Sequence, residues 1–272
     1  MPSQSPAAAL SRRDRILIST CLVLICALAW AYLVHLDRQM SAEMAFHAAM
    51  GMSMMDIPWT MTDVFLTFAM WTVMMVGMMA GSAAPVLLLF AASRAKRLPA
   101  VALAEAGAES GVKSSVLMFG LGYLAVWTGF SACAALAQWA LHQAAMLSPA
   151  MSASSPYLAG VILIVAGAYQ LTPWKGACLT HCRSPLGFLM SHWRDGQLGA
   201  FQMGLRHGAY CLGCCWALMC VLFVTGVMNL VWVAMLTGLV LIEKVGRTGI
   251  MVARLAGAVM VVVGIVKIVM AS

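Results

Sequence analysis

Long stretches without charge constrain the fold of this chain more than any other feature of its sequence. Of the 272 residues, 63% are hydrophobic and only 9% are charged. A soluble domain of this length could not bury so much apolar surface, so lipid must be the solvent for much of it. The uncharged stretches predict an all-α, polytopic transmembrane helical bundle of six or seven spans. The predicted spans are Ile16–Leu36, Val64–Ala92, Val116–Leu141, Tyr157–Leu171, Ala209–Val227, Asn229–Ile242 and Arg254–Val269.

The distribution of positive charge predicts an orientation. Lys and Arg lie in the N-terminal arm and after the second, fourth and sixth predicted spans, whereas the alternate connections hold only Arg38. Cytoplasmic loops carry such an excess, so we expect a cytoplasmic N-terminus in a bacterial inner membrane. The net charge of +7 follows from this topology and does not indicate nucleic-acid binding. We expect residues 1–14 to be a disordered cytoplasmic arm and residues 15–272 to form one membrane domain; whether the first span is cleaved stays open.

Methionine is concentrated early in the chain. Twelve of the 24 methionines lie between Met40 and Met79, and several fall in a predicted outer segment, 37–63. Thioethers bind Cu(I) without deprotonation, so a flexible outer loop could capture this ion. The alternative is an amphipathic helix at the membrane interface with methionine as adaptable filler. The candidate ligands in this segment are His47, Met50, Met52 and Met54.

The second predicted span carries a ladder of methionines. Met70, Met74 and Met78 follow at i, i+4 steps and therefore lie within about 80° on one helix face. Met75 and Met79 fall on a different face. A row of weak thioether sites is a plausible path for Cu(I), and the spacing resembles that of eukaryotic copper uptake transporters. Side-chain packing is the alternative interpretation.

Cysteine and histidine cluster in the second half of the chain. The predicted cytoplasmic loop 173–200 contains Cys178, His181 and Cys182. On a helix, Met203, His207, Cys211 and Cys214 would share a stripe of about 80°, with Cys215 beside it. Metal ligation or thiol chemistry is therefore expected rather than structural disulfides. Thiol and thioether ligands favour Cu(I), with zinc as the alternative metal. The candidate ligands here are Cys178, His181, Cys182, His207, Cys211, Cys214 and Cys215.

Charged residues accompany these thiols. Lys175, Arg183 and Arg206 are close in sequence and would favour thiolates if they were also close in space. The adjacent residues Glu243 and Lys244 end the sixth predicted span, where we expect an interfacial ion pair.

Several of these residues together resemble a known family. The blocks are Trp71 with Met74-Met75, Lys175-x-x-Cys178-x-x-His181-Cys182-Arg183, Gly204 to Trp216 with His207-Gly208-x-x-Cys211-x-x-Cys214-Cys215, and Glu243-Lys244. They resemble an uncharacterised bacterial family of predicted metal-binding integral membrane proteins, from about Phe65 to the C-terminus. The resemblance implies a metal-binding membrane protein, and it would make Glu243 a proton or metal ligand.

The sequence predicts a membrane protein that binds Cu(I) for transport or delivery across the inner membrane. One alternative is a membrane thiol–disulfide oxidoreductase that uses Cys211 and Cys214, and another is an accessory subunit that supplies metal to a membrane enzyme. No Ser-His-Asp set, phosphate-binding glycine loop or catalytic carboxylate pair is evident, so no catalytic residue is predicted. The expected partners are the lipid bilayer, the metal ion, a metallochaperone or partner membrane protein, and a second copy of the chain.

Overall fold

The computed structural model describes residues 11–51, 59–97, 106–148 and 151–271. These ranges are almost entirely helical, and within them the only β-type pairing is an isolated bridge between Leu147 and Ala153. The helices are α1 (Arg12–Met50), α2 (Met61–Arg97), α3 (Ala106–Gln143), α4 (Pro156–Leu171), α5 (Pro173–Arg183), α6 (Pro185–His192), α7 (Gly196–Cys220), α8 (Leu222–Thr225), α9 (Leu230–Val245) and α10 (Gly249–Val269).

The helices have the length and composition of a membrane protein. In the described part of the chain, α1, α2, α3, α10 and the run formed by α7 and α8 are each long and apolar enough to cross a membrane. The predicted all-α membrane class is therefore confirmed, with five candidate spans, or six if α4 and α5 count as one bent span. The helix α9, at the predicted span Asn229–Ile242, has 16 residues. At about 24 Å it is shorter than a bilayer core of about 30 Å.

The bend between α4 and α5 follows from the local sequence. Thr172 is extended, with φ −73° and ψ 150°. Pro173 follows it, and a residue before proline is pushed out of the helical region by the proline ring. Proline is well suited to the first position of a new helix, and the Thr172 side chain accepts a hydrogen bond from the Lys175 backbone N–H. The two helices therefore meet at 63°, which turns the cysteine-bearing α5 toward α7.

Two glycines allow α3 and α7 to pack with their backbones in contact. A Cβ atom added at Gly204 would lie 2.0 Å from the Phe119 carbonyl oxygen, and one added at Gly122 would lie 2.2 Å from the Phe201 carbonyl oxygen. Small residues permit such approaches between membrane helices, where packing drives association. The close contact brings Tyr123 of α3 against Cys211 of α7.

The last part of α7 is followed by a tight reversal. Gly226 has φ +95°, in the left-handed region that favours glycine, and Asn229 caps α9 by accepting from the Trp232 backbone N–H. The predicted turn near Met228-Asn229 is thus confirmed. The helix α9 runs back along α7 and brings Lys244 against Cys211.

Some segments differ from the predicted organisation. The helix α1 continues to Met50, so the first half of the predicted outer segment 37–63 is helical. The segment 173–200 is not an open loop but consists of α5, α6 and the start of α7. The predicted ligands Met52 and Met54, and nearly all of the predicted disordered arm, lie outside the described residues.

Candidate metal centre

Cys211 lies at the centre of a buried group of polar and sulfur atoms. It is in the middle of the bundle on α7, and its side chain is 2% exposed. Its Sγ atom is 3.0 Å from the Tyr123 hydroxyl of α3 and 2.9 Å from Lys244 Nζ of α9. Side chains from α3, α7 and α9 therefore meet at one sulfur atom, and the side chain from α9 is a cation.

The Lys244 ammonium has two further neighbours on α2. Its Nζ atom is 3.3 Å from Ser82 Oγ and 3.7 Å from Met79 Sδ. Lys244 is only 7% exposed. Met79 thus reaches the thiol cluster, although the methionine spacing placed it on a different face from the predicted ladder.

A second pair of sulfur atoms lies between α5 and α7. Cys182 Sγ is 3.9 Å from Cys214 Sγ. One helical turn earlier on α5, Cys178 packs over Gly213, where an added Cβ atom would be 2.9 Å from Cys178 Sγ. The two cysteine motifs are therefore in contact, because α5 is a helix and Gly213 leaves room for it.

Two of the thiols are held by their own helix. Cys214 Sγ and Cys215 Sγ donate to the Cys211 carbonyl oxygen, at 3.1 Å and 2.8 Å. Both side chains are 1% exposed. A thiol is a weak donor, so these contacts orient the sulfur atoms at little cost if a ligand takes them over.

His207 lies one turn before Cys211 and is 3% exposed. Its ring is surrounded by Phe119, Tyr123 and Phe188, with centroid distances of 6.1, 5.9 and 5.1 Å. Within the described residues its Nδ1 atom has no hydrogen-bond partner. A buried polar atom without a partner is costly, so this nitrogen is available to a ligand that the protein chain does not supply.

A buried ion pair lies beside the thiols. Lys175 Nζ is 2.6 Å from Glu243 Oε2, and Gln170 Nε2 donates to Glu243 Oε1 at 3.1 Å. Arg183 donates to the Glu243 carbonyl oxygen at 2.6 Å. These contacts join α5, which carries Cys178 and Cys182, to α9, which carries Lys244.

This ion pair corrects two predictions. Glu243 and Lys244 do not form an interfacial pair, because both are buried and adjacent residues on a helix project about 100° apart. Glu243 faces α5, whereas Lys244 faces α2 and α7. The cation beside the thiols is therefore Lys244, since Lys175 and Arg183 bind Glu243 and the third predicted cation, Arg206, is exposed.

The sequence model of a family described as PpoB2, copper chaperone, matches residues 68–267. The chain belongs to this family. The Cys/His blocks predicted a metal-related family, and the family that matches is a copper family. The match contains all the thiols described above and the methionines of α2 from Met70 onward, and it excludes His47 and Met50. Comparisons with curated proteins and with solved structures gave no significant match.

The side chains available as ligands can be compared with those that copper prefers. Among the described residues, no group of three or more His, Cys, Asp or Glu side chains is placed to hold a metal ion. Two sulfur donors, Cys182 and Cys214, lie 3.9 Å apart, and Cys211 and Met79 are both neighbours of the Lys244 ammonium. Pairs of thiolates and thioethers suit Cu(I), which has a filled d shell and accepts few soft ligands.

The remaining predicted ligands in the described part of the matched region stand on α2 and α5. Met70, Met74 and Met78 are buried in the helical core, at 6%, 1% and 1% exposure. The His181 ring stacks on Tyr210, with centroids 4.3 Å apart, and its Nδ1 atom is 2.9 Å from the Ala177 carbonyl oxygen.

The two outer candidates that the structure describes lie on the last turns of α1. Met50 is 60% exposed, whereas the side chain of His47 is half-buried.

Sequence reasoning missed Met79 and Lys244 as neighbours of the thiols. One signal was present: a Glu-Lys pair directly after an apolar run is expensive to place in a membrane unless it has partners.

Proposed function

We propose that this chain binds Cu(I) among the thiols of α5 and α7 and delivers it, as cargo, within or across the membrane. The observation that carries the proposal is the pair of sulfur atoms of Cys182 and Cys214, which come from two helices and lie 3.9 Å apart. Two soft sulfur donors this close together can both bind one Cu(I) ion. A disulfide, at about 2.05 Å, would be far shorter.

Several features support Cu(I) as the cargo. The family is a copper family, and the chain supplies soft ligands where hard ones are scarce. Cys211, Cys214 and Cys215 are buried, so a bound ion would be shielded from water and from competing ligands. The unpartnered Nδ1 atom of His207 offers a further ligand one turn away.

The proposed route starts from the outer side of the membrane. Cu(I) would be captured by His47 and by Met50, Met52 and Met54, and it would pass along Met70, Met74 and Met78. The thiols Cys211, Cys214, Cys215, Cys178 and Cys182, together with His181 and His207, would receive it. Weak outer thioethers and stronger inner thiolates favour inward movement. A metallochaperone or a partner membrane protein would then take the ion.

The proposed topology follows the distribution of Lys and Arg. The N-terminus and the connection that contains α5 and α6 would face the cytoplasm of a bacterium, and the connection between α3 and α4 would face outward. Besides the five long spans, α4 and the short α9 would supply the sixth and seventh crossings.

The test is a double substitution of the central thiols. In the purified protein under anaerobic conditions, Cys211→Ser with Cys214→Ser should abolish stoichiometric Cu(I) binding, measured by competition with a chromophoric Cu(I) chelator. Hydroxyl oxygen is a hard donor and does not replace a thiolate. The matched control is Cys133→Ser, since Cys133 is an exposed cysteine of α3 outside the cluster.

A second arm of this experiment tests accessibility. In intact cells a membrane-impermeant thiol reagent should leave Cys211 and Cys214 unlabelled, and should label a Ser154→Cys variant in the proposed outer connection. Full copper stoichiometry in the double variant would contradict the site assignment. Labelling of Cys211 and Cys214 from outside, together with an absence of bound metal, would instead favour the thiol–disulfide oxidoreductase.

A further inference from the structure

The Lys244 ammonium occupies a place that is built from soft and neutral donors. Cys211 Sγ, Ser82 Oγ and Met79 Sδ surround it at 2.9, 3.3 and 3.7 Å. These atoms come from α2 and α7, whereas the lysine comes from α9. The neighbouring carboxylate of Glu243 forms its ion pair with Lys175 rather than with Lys244.

This environment is unusual for a lysine. A buried ammonium costs several kcal/mol unless a negative group lies beside it. Among the described neighbours of Lys244, the group that can carry such a charge at the shortest distance is the Cys211 thiol. The sulfur atom of Cys211 therefore acts as the counter-ion of a tethered monovalent cation. The same sulfur is a ligand that Cu(I), also monovalent, prefers.

The geometry assigns this place to the metal: we infer that Cu(I) binds between Cys211 Sγ and Met79 Sδ, and that the Lys244 ammonium holds the position until the ion arrives. The inference rests on the proposed function, and it adds Met79 as a ligand and Lys244 as the group displaced. Exchange of one monovalent cation for another leaves the net charge of the site unchanged. The flexible four-carbon stem of lysine allows its charged head group to leave the buried site toward the exposed end of α9, near Val245 and Arg247, without a shift of the helix.

The site would also explain how Cu(I) passes from thioether ligands to thiol ligands. Met79 stands on the methionine-rich helix α2, and Cys211 stands on the thiol helix α7. One position that is shared by a weak thioether and a strong thiolate is where an ion can pass from one donor type to the other. Met79 would therefore be the last methionine of the path, and Cys211 the first thiol.

The decisive variant is Lys244→Leu, which removes the cation and introduces no new ligand. We expect its affinity for Cu(I), measured by anaerobic chelator competition at one pH, to rise by about tenfold or more. Lys244→Arg keeps the charge and should stay close to the native affinity. Lys267→Leu, a change in an exposed lysine of α10, is the matched control and should also leave the affinity unchanged.

A separate measurement tests whether Met79 is a ligand. Met79→Leu in the native background should lower the number of sulfur ligands seen by X-ray absorption at the copper edge by one. The same change at Met75, another buried methionine of α2 and one outside the proposed route, should not alter that number. Met79→Leu combined with Lys244→Leu should also cancel the gain in affinity.

The outcomes separate the two proposals. An unchanged or weaker affinity in Lys244→Leu would overturn the displacement, because the lysine would then assist the thiolate. An unchanged sulfur number in Met79→Leu would overturn the new ligand, and this result does not depend on the folding of the lysine variant. Failure of the native protein to bind any Cu(I) would instead overturn the proposed function itself.

Discussion

At the scale of single residues, Glu243 and Lys244 show how two adjacent charges can serve different partners. Glu243 is 1% exposed and holds Lys175 and Gln170. Lys244 turns away from them toward Cys211. Glu243 thereby fixes the position of α5 against α9, which determines how the thiols of α5 and α7 meet. Both of its carboxylate oxygens are bound, one by Gln170 and the other by Lys175.

This role predicts a large loss of stability in Glu243→Gln. The substitution leaves the Lys175 ammonium buried without a counter-charge, a change that typically costs about 3–5 kcal/mol. The free energy of unfolding, measured by titration with a denaturing detergent, should fall by this amount. Glu43→Gln, at an exposed glutamate of α1, should change that free energy little. Replacing both partners, with Glu243→Leu and Lys175→Met, should recover much of the loss, since apolar isosteres of a buried pair are often neutral. A loss in Glu243→Gln no larger than that in Glu43→Gln would contradict this account.

The sequence revealed only part of the site at this scale. The stripe of His207, Cys211 and Cys214 could be predicted because all three stand on one helix, where spacing alone sets the face. Met79 and Lys244 could not, since their place depends on how α2 and α9 pack against α7. The position of a residue on its own helix follows from the sequence, whereas its neighbours across helices follow from packing.

At the scale of helices, the close contact of α3 with α7 positions the cluster. Gly122 and Gly204 each face a carbonyl oxygen of the opposite helix, so neither helix can gain a side chain there without moving. The Tyr123–Cys211 contact lies next to this crossing. A shift of α3 away from α7 would therefore break the contact between Tyr123 and Cys211.

A single methyl group tests this contact. Gly204→Ala places a carbon atom against the Phe119 carbonyl and should destabilise the protein by about 1–3 kcal/mol, as overpacking of a core does. Gly120→Ala is the matched control, because a Cβ atom there meets open space on the same helix pair. The control should be neutral or slightly stabilising, since alanine is the better helix former by about 0.5–1 kcal/mol. Equal unfolding free energies for the two variants would show that α3 and α7 do not meet so closely.

Most helices could be predicted from the sequence, but their ends could not. The helix α4 begins at Pro156 and ends at Leu171, within one residue of the predicted span. By contrast, α1 and α3 extend well beyond their predicted spans, to Met50 and from Ala106. Hydropathy marks where lipid surrounds a helix, and it gives no signal where a helix continues into water with polar residues.

At the scale of the whole molecule, the chain encloses its thiols and exposes apolar helices. The large hydrophobic side chains of α1 and α10 are widely exposed, as lipid-facing residues of a membrane protein are. Three cysteines of α7, Cys211, Cys214 and Cys215, are instead among the most buried side chains. The composition predicted this membrane class correctly, because no other solvent accommodates so much apolar surface. It did not predict that Glu243 and Lys244 of α9 are buried, since the partners that satisfy their charges are distant in sequence.

The central claim is that this buried cluster selects Cu(I), and metal content tests it most directly. The purified, detergent-solubilised protein would be incubated anaerobically with an equal mixture of Cu(I) and Zn(II), freed of unbound ions and subjected to elemental analysis. The account predicts copper in a stoichiometric amount and no zinc, because the cluster is built from thiols and a thioether, the soft donors that Cu(I) prefers. Retention of zinc in place of copper, or of no metal by the folded protein, would contradict it.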